Sequence, residues 1–137
     1  MTTAEFPEVR ALTLWQPWAS CIAYGTKRIE NRTWPTDYRG IVLIHAGRTT
    51  DRHAWDVPLT RPFLRRPQPR GAVLAVARLA DCHQDDGWCT LWSAPGQWHW
   101  KLTDIRTLSK PLDCRGERGL WTPAPALVAS VLEVAGA

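Results

Sequence analysis

Lys27, Glu30 and Arg32 fall within one short stretch of the chain, with Arg28 between them. Alternation from Arg28 to Arg32 predicts a strand with Arg28, Glu30 and Arg32 on one face and Ile29 on the other. Lys27 has the wrong parity for that face, so it belongs to the turn after Gly25, just past a helix end. A lysine there presents a mobile ammonium. It can hold a phosphate as a point charge, act as a base if burial lowers its pKa, or satisfy the last helical carbonyls. A carboxylate among cations stays ionised. Glu30 can therefore accept from the exocyclic amine of a base, serve as a general base toward water, or be half of a structural ion pair.

Nine Trp stand against two Phe and two Tyr. Trp15, Trp18 and Trp34 flank the charged stretch, and an exposed indole there would stack a base. One of the three is expected to face a ligand, with Trp18 favoured, although a Trp is more often core. Trp98, Trp100 and Trp121 read as packing residues. His45 closes a fully apolar run and is either a ligand contact or a core histidine bonded to backbone. Arg39, in the turn Tyr38-Arg39-Gly40, is a candidate phosphate contact.

The elements that must position these groups follow from pattern. Leu12–Trp15 reads as a short strand, and residues 17–24 as a helix ended by Gly25 in a left-handed conformation. Ile41–Ala46 and Gly71–Leu79 read as strands buried on both sides. Thr49–Trp55 reads as a short helix, 57–70 as an irregular Pro-rich basic loop, and 80–96 as polar and irregular. Trp98–Leu108 alternates as a strand, Pro111–Trp121 reads as a Gly-rich loop, and Pro123–Val134 as a closing helix. A chain of 137 residues suits one domain, here 10–137 after a loose leader at 1–9. Strands so unevenly spaced argue against a βαβ sheet and for a small mixed barrel.

Net charge is +4, and 14 of the 17 basic residues are Arg. The first 70 residues carry 11 basic and 6 acidic side chains, or +5, and the remainder carry 6 and 7, or −1. Arg61, Arg65, Arg66 and Arg70 make the 57–70 loop a candidate track for a nucleic-acid backbone; the plainer reading is a solvated loop. Sixteen Ala and only three Lys also fit a codon preference for Arg. No apolar run is long enough to span a bilayer and no secretory signal is visible, so a cytoplasmic protein with no membrane partner is expected. The four Cys show no C-x-x-C pair. Cys82-His83 with Cys89 and His99 makes only a rough ligand set, and the expectation is that no metal or organic cofactor is needed.

Gln16-Pro17-Trp18-Ala19-Ser20 followed by Gly25-Thr26-Lys27-Arg28-Ile29-Glu30-Asn31-Arg32 resembles the signature of the ASCH domain family. Tyr38-Arg39-Gly40, Ile44-His45-Ala46-Gly47 and Gly116-Glu117-Arg118-Gly119-Leu120-Trp121 resemble its later motifs, in the right order. The resemblance implies an α+β PUA-like fold: a mixed barrel of five or six strands, a helix after the first strand, and a C-terminal helix. It implies a cleft between that first helix and the strands, bordered by His45, that holds RNA or single-stranded DNA, or a modified nucleoside. Lys27, Arg32 and Arg39 would hold phosphate, Glu30 would read a base edge, and Trp18 would stack. The alternative is a small metal-independent hydrolase, an N4-acylcytidine amidohydrolase or a ribonuclease, using Lys27 and Glu30. The amidohydrolase branch has Thr three residues after the Lys, where this chain has Glu30. Oligomeric state is left open.

Overall fold

The computed structural model describes residues 8–87 and 89–136. Six strands form one mixed sheet in the order β2-β5-β4-β3-β1-β6, curled into a half-barrel. They are β1 (Val9–Gln16), β2 (Ile29–Arg32), β3 (Gly40–Thr50), β4 (Ala72–Gln84), β5 (Trp98–Asp113) and β6 (Leu120–Trp121). Helices α1 (Trp18–Ala23), α2 (Arg61–Leu64) and α3 (Pro125–Gly136) complete the fold. β1 and β3 are parallel, and every other pairing is antiparallel.

The sheet is buried on both faces, which is why its central strands lack apolar–polar alternation. Leu12, Leu14, Val42, Ile44 and Leu74 point to one side, where they meet α1 and Trp100. Ala11, Leu43, Val73 and Val76 point to the other, where Val131 of α3, Leu108 and Trp121 cover them. None of the helices in the described residues is long and apolar enough to cross a membrane.

Several boundaries differ from expectation. Val9 already lies in β1 and is buried, so the leader is shorter than nine residues; residues 1–7 lie outside the described part. β4 runs on to Gln84 through a stretch that reads as polar loop. β3 pairs β4 only as far as Leu79, so residues 81–84 are bonded to β5 alone and carry the polar side chains of an edge. β5 runs to Asp113 despite Pro111. Beyond Lys101 it has no β2 partner on its other side, and a missing N–H is tolerated on such a free edge. Where β5 slips register against β4, Asp104 takes a positive φ of 52°, a conformation that Asp accepts more readily than most residues. The 57–70 segment is not irregular: it contains a 3₁₀ turn at Pro58–Thr60 and then α2. Thr60 is buried, with its hydroxyl donating to the carbonyls of Ala54 and Val57 at 2.6 and 2.8 Å.

Gly25 does end α1, but not by a left-handed backbone; the cap is Tyr24 at φ −115°, and Gly25 has no positive φ. A Cβ at Gly25 would lie 2.4 Å from the ring of Phe63 and 2.8 Å from the Cys21 carbonyl oxygen. Glycine is needed there because α2 packs against the end of α1.

Candidate functional site

The Gln16-Pro17-Trp18 sequence turns the chain from β1 into α1. Gln16 is fully buried; its Oε1 accepts from the Ser20 N–H at 3.0 Å and its Nε2 donates to the Pro69 carbonyl at 2.6 Å. One amide thus satisfies an orphan donor of the first helical turn and ties down the end of the 57–70 segment. Trp18 donates from Nε1 to Asp51 Oδ2 at 2.8 Å, which fixes the indole on the rim of a cavity.

That cavity has a volume of about 580 Å³, within the usual range for small-molecule sites. Its floor is Lys27, Glu30 and Arg32, and its walls include Trp15, Trp18 and Trp92. Lys27 is not a mobile ammonium at the mouth. It is 2% exposed. Its backbone N–H bonds the Cys21 carbonyl at 3.2 Å, which folds the turn inward. Its Nζ donates to the Ile29 carbonyl, stands 3.6 Å from Glu30 Oε1, and lies 5.2 and 5.8 Å from the ring centres of Trp18 and Trp92. Burial pushes the Lys27 pKa below its ordinary 10.5; the Glu30 carboxylate pulls it back part of the way, and Arg32 opposes that.

Glu30 and Arg32 share a face, as their spacing predicts. Arg32 Nε lies 3.0 Å from Glu30 Oε2. The N–H is not aimed along that line and makes no hydrogen bond, so the contact is an ion pair only. Arg32 Nη2 donates to the Thr13 carbonyl at 3.0 Å. Arg28 does not join this face. It precedes β2 and turns back to donate to the carbonyls of Gly25 and Lys27 at 3.1 and 2.9 Å and, more weakly, to the Ile22 carbonyl in the last turn of α1 at 3.4 Å, the helix-end contact that a lysine at 27 was one candidate for.

Of the indoles that line the cavity, Trp15 is the most open, at 54% exposed. The register of β1 on β3 jumps between Leu14↔Ala46 and Gln16↔Thr50, and Trp15 sits in the gap. Trp34 is elsewhere, packed edge-on against Trp100 with ring centres 4.8 Å apart. Sequence reading passed over Trp92 and Asn31. Asn31 clamps the far wall by donating from Nδ2 to the Trp92 carbonyl at 2.9 Å and accepting from the Ala94 N–H at 2.9 Å. Its position on β2 beside Glu30 was a usable signal; Trp92, in an irregular stretch, carried none.

Arg39 and His45 do not line this cavity. Arg39 is exposed, donates to the carbonyls of Thr36 and Tyr38 at 2.9 and 2.8 Å, and lies 4.0 Å from Asp81. His45 is 1% exposed and borders a second concavity of about 900 Å³ together with Arg48, Arg70, Arg115 and Arg118. A relay fixes its tautomer. Trp121 Nε1 donates to Thr13 Oγ1 at 3.1 Å, that hydroxyl lies 3.1 Å from His45 Nδ1, and His45 Nε2 donates to the Cys114 carbonyl at 2.9 Å. Gly116 must be glycine here, since a Cβ would lie 2.5 Å from the His45 ring. Arg61, Arg65 and Arg66 are exposed on and after α2, and Arg70 donates to the Arg48 carbonyl at 3.3 Å.

Burial holds the His45 pKa below its ordinary 6.5; the Cys114 bond raises it somewhat and Arg48 lowers it. The unfolded chain takes a proton near 6.5 that the folded imidazole refuses. His45 therefore contributes a stability loss as pH falls from 6.5 toward its lower folded value. Urea unfolding across that range is expected to show this slope in the wild type and a flatter one in His45→Gln. Equal slopes would mean that His45 titrates alike in both states.

The model of the ASCH domain matches residues 12–112. Activating signal cointegrator 1 of Mus musculus is 34% identical over 80 residues, and that of Homo sapiens 32% over 80 residues. Each match covers 52% of this chain and 14% of the relative, so the chain spans a small part of those proteins. The crystal structure of the ASCH protein from Zymomonas mobilis superposes with a TM-score of 0.61 at 13% identity, over 93% of this chain and 95% of that one. A point mutant of the same protein gives 0.61 at 14%, over 93% and 99%. At such low identity the structural likeness speaks for the fold, a PUA-like α+β half-barrel. With most of β1 through β5 inside the matched span, the chain belongs to the ASCH domain family.

Proposed function

We propose that the cavity binds a single unstacked base of RNA or single-stranded DNA, or a free modified nucleoside. The observation that carries this reading is the Glu30 carboxylate, held between Lys27 and Arg32 at the floor of a cavity walled by indoles. A carboxylate held between two cations is an acceptor for an exocyclic amine, and an exposed indole is a platform for a base face. Trp15 takes the stacking role in place of Trp18, whose ring already faces Lys27 and whose N–H is spent on Asp51. Lys27 pairs with Glu30 rather than gripping phosphate. The phosphates fall to Arg32 and to the exposed Arg61, Arg65 and Arg66, with Arg70 at the end of that track; Arg39 has no part at this cavity.

Binding of a short single strand is expected to weaken with salt, with a log–log slope of roughly −2 to −3 for three or four phosphates neutralised. Trp15→Ala is expected to weaken it by about 1–3 kcal/mol without lowering the melting temperature. Binding insensitive to salt, or unchanged by Trp15→Ala, contradicts the reading.

A second reading has one observation in its favour: Lys27 is buried beside a carboxylate with its pKa lowered, as a reactive amine requires. In an amidohydrolase, Lys27 would steady the nucleophilic water or the oxyanion while Glu30 moves the proton to the leaving amine. Incubation with N4-acetylcytidine and with single-stranded RNA decides between the two. Turnover by the wild type that Lys27→Ala and Glu30→Gln both lose establishes the enzyme. Binding with both substrates left intact, and a changed base preference in Glu30→Gln, establishes the binder.

A further inference from the structure

The outer end of the β4–β5 hairpin gathers side chains that the cavity does not use. His83 and His99 are register partners, with ring centres 5.5 Å apart and planes at 80°. Cys89, on the connection between the two strands, lies with Sγ 2.9 Å from His83 Nε2 and 3.3 Å from His99 Nδ1. These three atoms all lie within 4.8 Å of one another.

The protons on this cluster can be assigned from its outer partners. Asp81 Oδ2 is 2.8 Å from His83 Nδ1, and a carboxylate only accepts, so Nδ1 carries a proton. The Ala94 carbonyl is 2.8 Å from His99 Nε2 and also only accepts, so Nε2 carries a proton. The other nitrogen of each ring faces the same sulfur, where a ring carrying only its outer proton presents a lone pair. A thiol has one proton and can serve only one of them, whereas a cation bound to a thiolate serves both. A carboxylate on one ring and a backbone carbonyl on the other are also the partners that ordinarily fix metal-binding histidines.

We propose that His83 Nε2, Cys89 Sγ and His99 Nδ1 bind a divalent ion of the zinc class. Zinc lies about 2.0–2.1 Å from nitrogen and about 2.3 Å from sulfur, so tetrahedral ligands stand roughly 3.3–3.7 Å apart. The present separations bracket that spacing, and small rotamer shifts suffice. Imidazole with thiolate suits zinc rather than magnesium, calcium or manganese. Cys89 is exposed, leaving a fourth position to solvent. Cys82 stays outside the set: its strand neighbours alternate, and it packs with Trp100 against the core.

The ion does not line the cavity. Ala94, which orients His99, does, along with the rest of Leu91–Pro95 and Gln97. Metal binding at Cys89 would therefore anchor one end of the wall that Asn31 holds in its middle. Thiol deprotonation accompanies binding, so affinity falls as pH falls.

The test uses the full chain without an affinity tag, stripped with chelator and titrated with Co(II) alone, then Zn(II). One cobalt per chain is expected, with a thiolate-to-metal charge-transfer band and intense tetrahedral d–d bands that zinc displaces. Cys89→Ser and His83→Ala, both on accessible residues, are expected to lose the charge-transfer band while keeping the circular dichroism of the fold. Asp81→Asn is expected to keep the band but weaken affinity about 10–100-fold. Zinc is expected to slow amide exchange in residues 89–97 of the wild type and not of Cys89→Ser. Absence of the band, or a band that survives Cys89→Ser, overturns the proposal. So does rapid alkylation of Cys89 that zinc leaves unchanged and His83→Ala suppresses, which would mark an activated thiol on the Cys89–His83–Asp81 relay instead.

Discussion

Glu30→Leu is expected to lower the unfolding free energy at neutral pH by about 3–5 kcal/mol, the usual loss when one partner of a buried pair is removed. The reason lies with what remains. Lys27 is 2% exposed and Glu30 is its nearest carboxylate. Without it the ammonium faces only the Ile29 carbonyl and two indoles. Adding Lys27→Met is expected to recover most of the loss, because the buried charge is then gone; Arg32 still has the Thr13 carbonyl and partial exposure. The single variant also has a pH signature. A lysine whose folded pKa is depressed destabilises the fold fully below that value, and stability rises with pH between it and the ordinary 10.5. Losing Glu30 removes the carboxylate that does most to raise the Lys27 pKa, so this window widens and Glu30→Leu should gain stability relative to wild type as pH rises through the alkaline range. Urea unfolding of the two singles and the double variant at neutral and alkaline pH measures both effects. A Glu30→Leu loss under about 1 kcal/mol, near the value for an exposed pair, would mean that water reaches Lys27.

Trp100→Ala is expected to cost about 3–5 kcal/mol, as for large aromatics removed from cores. Trp100 is fully buried in the cluster that includes Leu12, Ile22 and Leu79. Its Nε1 donates to the Trp34 carbonyl at 3.2 Å and its ring takes Trp34 edge-on. It is also the register partner of Glu30, so truncation loosens the strand that carries the floor of the cavity. Loss of nucleoside or single-strand binding is expected to track the loss of stability. A thermal melt shows the main effect, and a melting temperature within a degree or two of wild type would mean that the core closes over the hole. Trp100→Phe keeps most of the volume and is expected to retain most of the stability.

The inner strands were legible because burial on both faces leaves nothing polar in Ile41–Ile44 or Ala72–Ala77. The alternation likewise named Trp100 and Leu102 as core, with Trp98 packed against it, but missed that His99 on the opposite parity is buried as well; Glu30 and Arg32 met as their spacing requires. The misses have local physical causes. Residues 81–84 and 109–113 look like loop because they pair on one side only, and an edge permits polar side chains and a proline. Lys27 could be assigned to a turn by parity, but not to the interior. Its burial depends on Trp18 and Trp92, which come from a helix and a distant connection. Trp15 was outweighed by Trp18 because the register jump that frees its ring belongs to β3 as much as to β1. His83, Cys89 and His99 lack the tight spacing of a zinc motif; it is the β4–β5 register that brings the two imidazoles side by side.

The seating of β2 on β5 bears on how the molecule assembles itself. Glu30 lies in the sheet opposite Trp100, so the strand that carries the floor pairs with one that is synthesised much later, after β3 and β4. Closing so large a loop gains nothing until β3 and β4 have already joined, and topologies dominated by such distant pairings fold in roughly milliseconds to seconds. A nascent chain that has emerged only as far as Gln84 contains Lys27, Glu30 and Arg32 and still lacks the strand against which β2 lies. The cavity thus cannot close until β5 has been made, and it exists only in chains in which β5 is already there to receive β2.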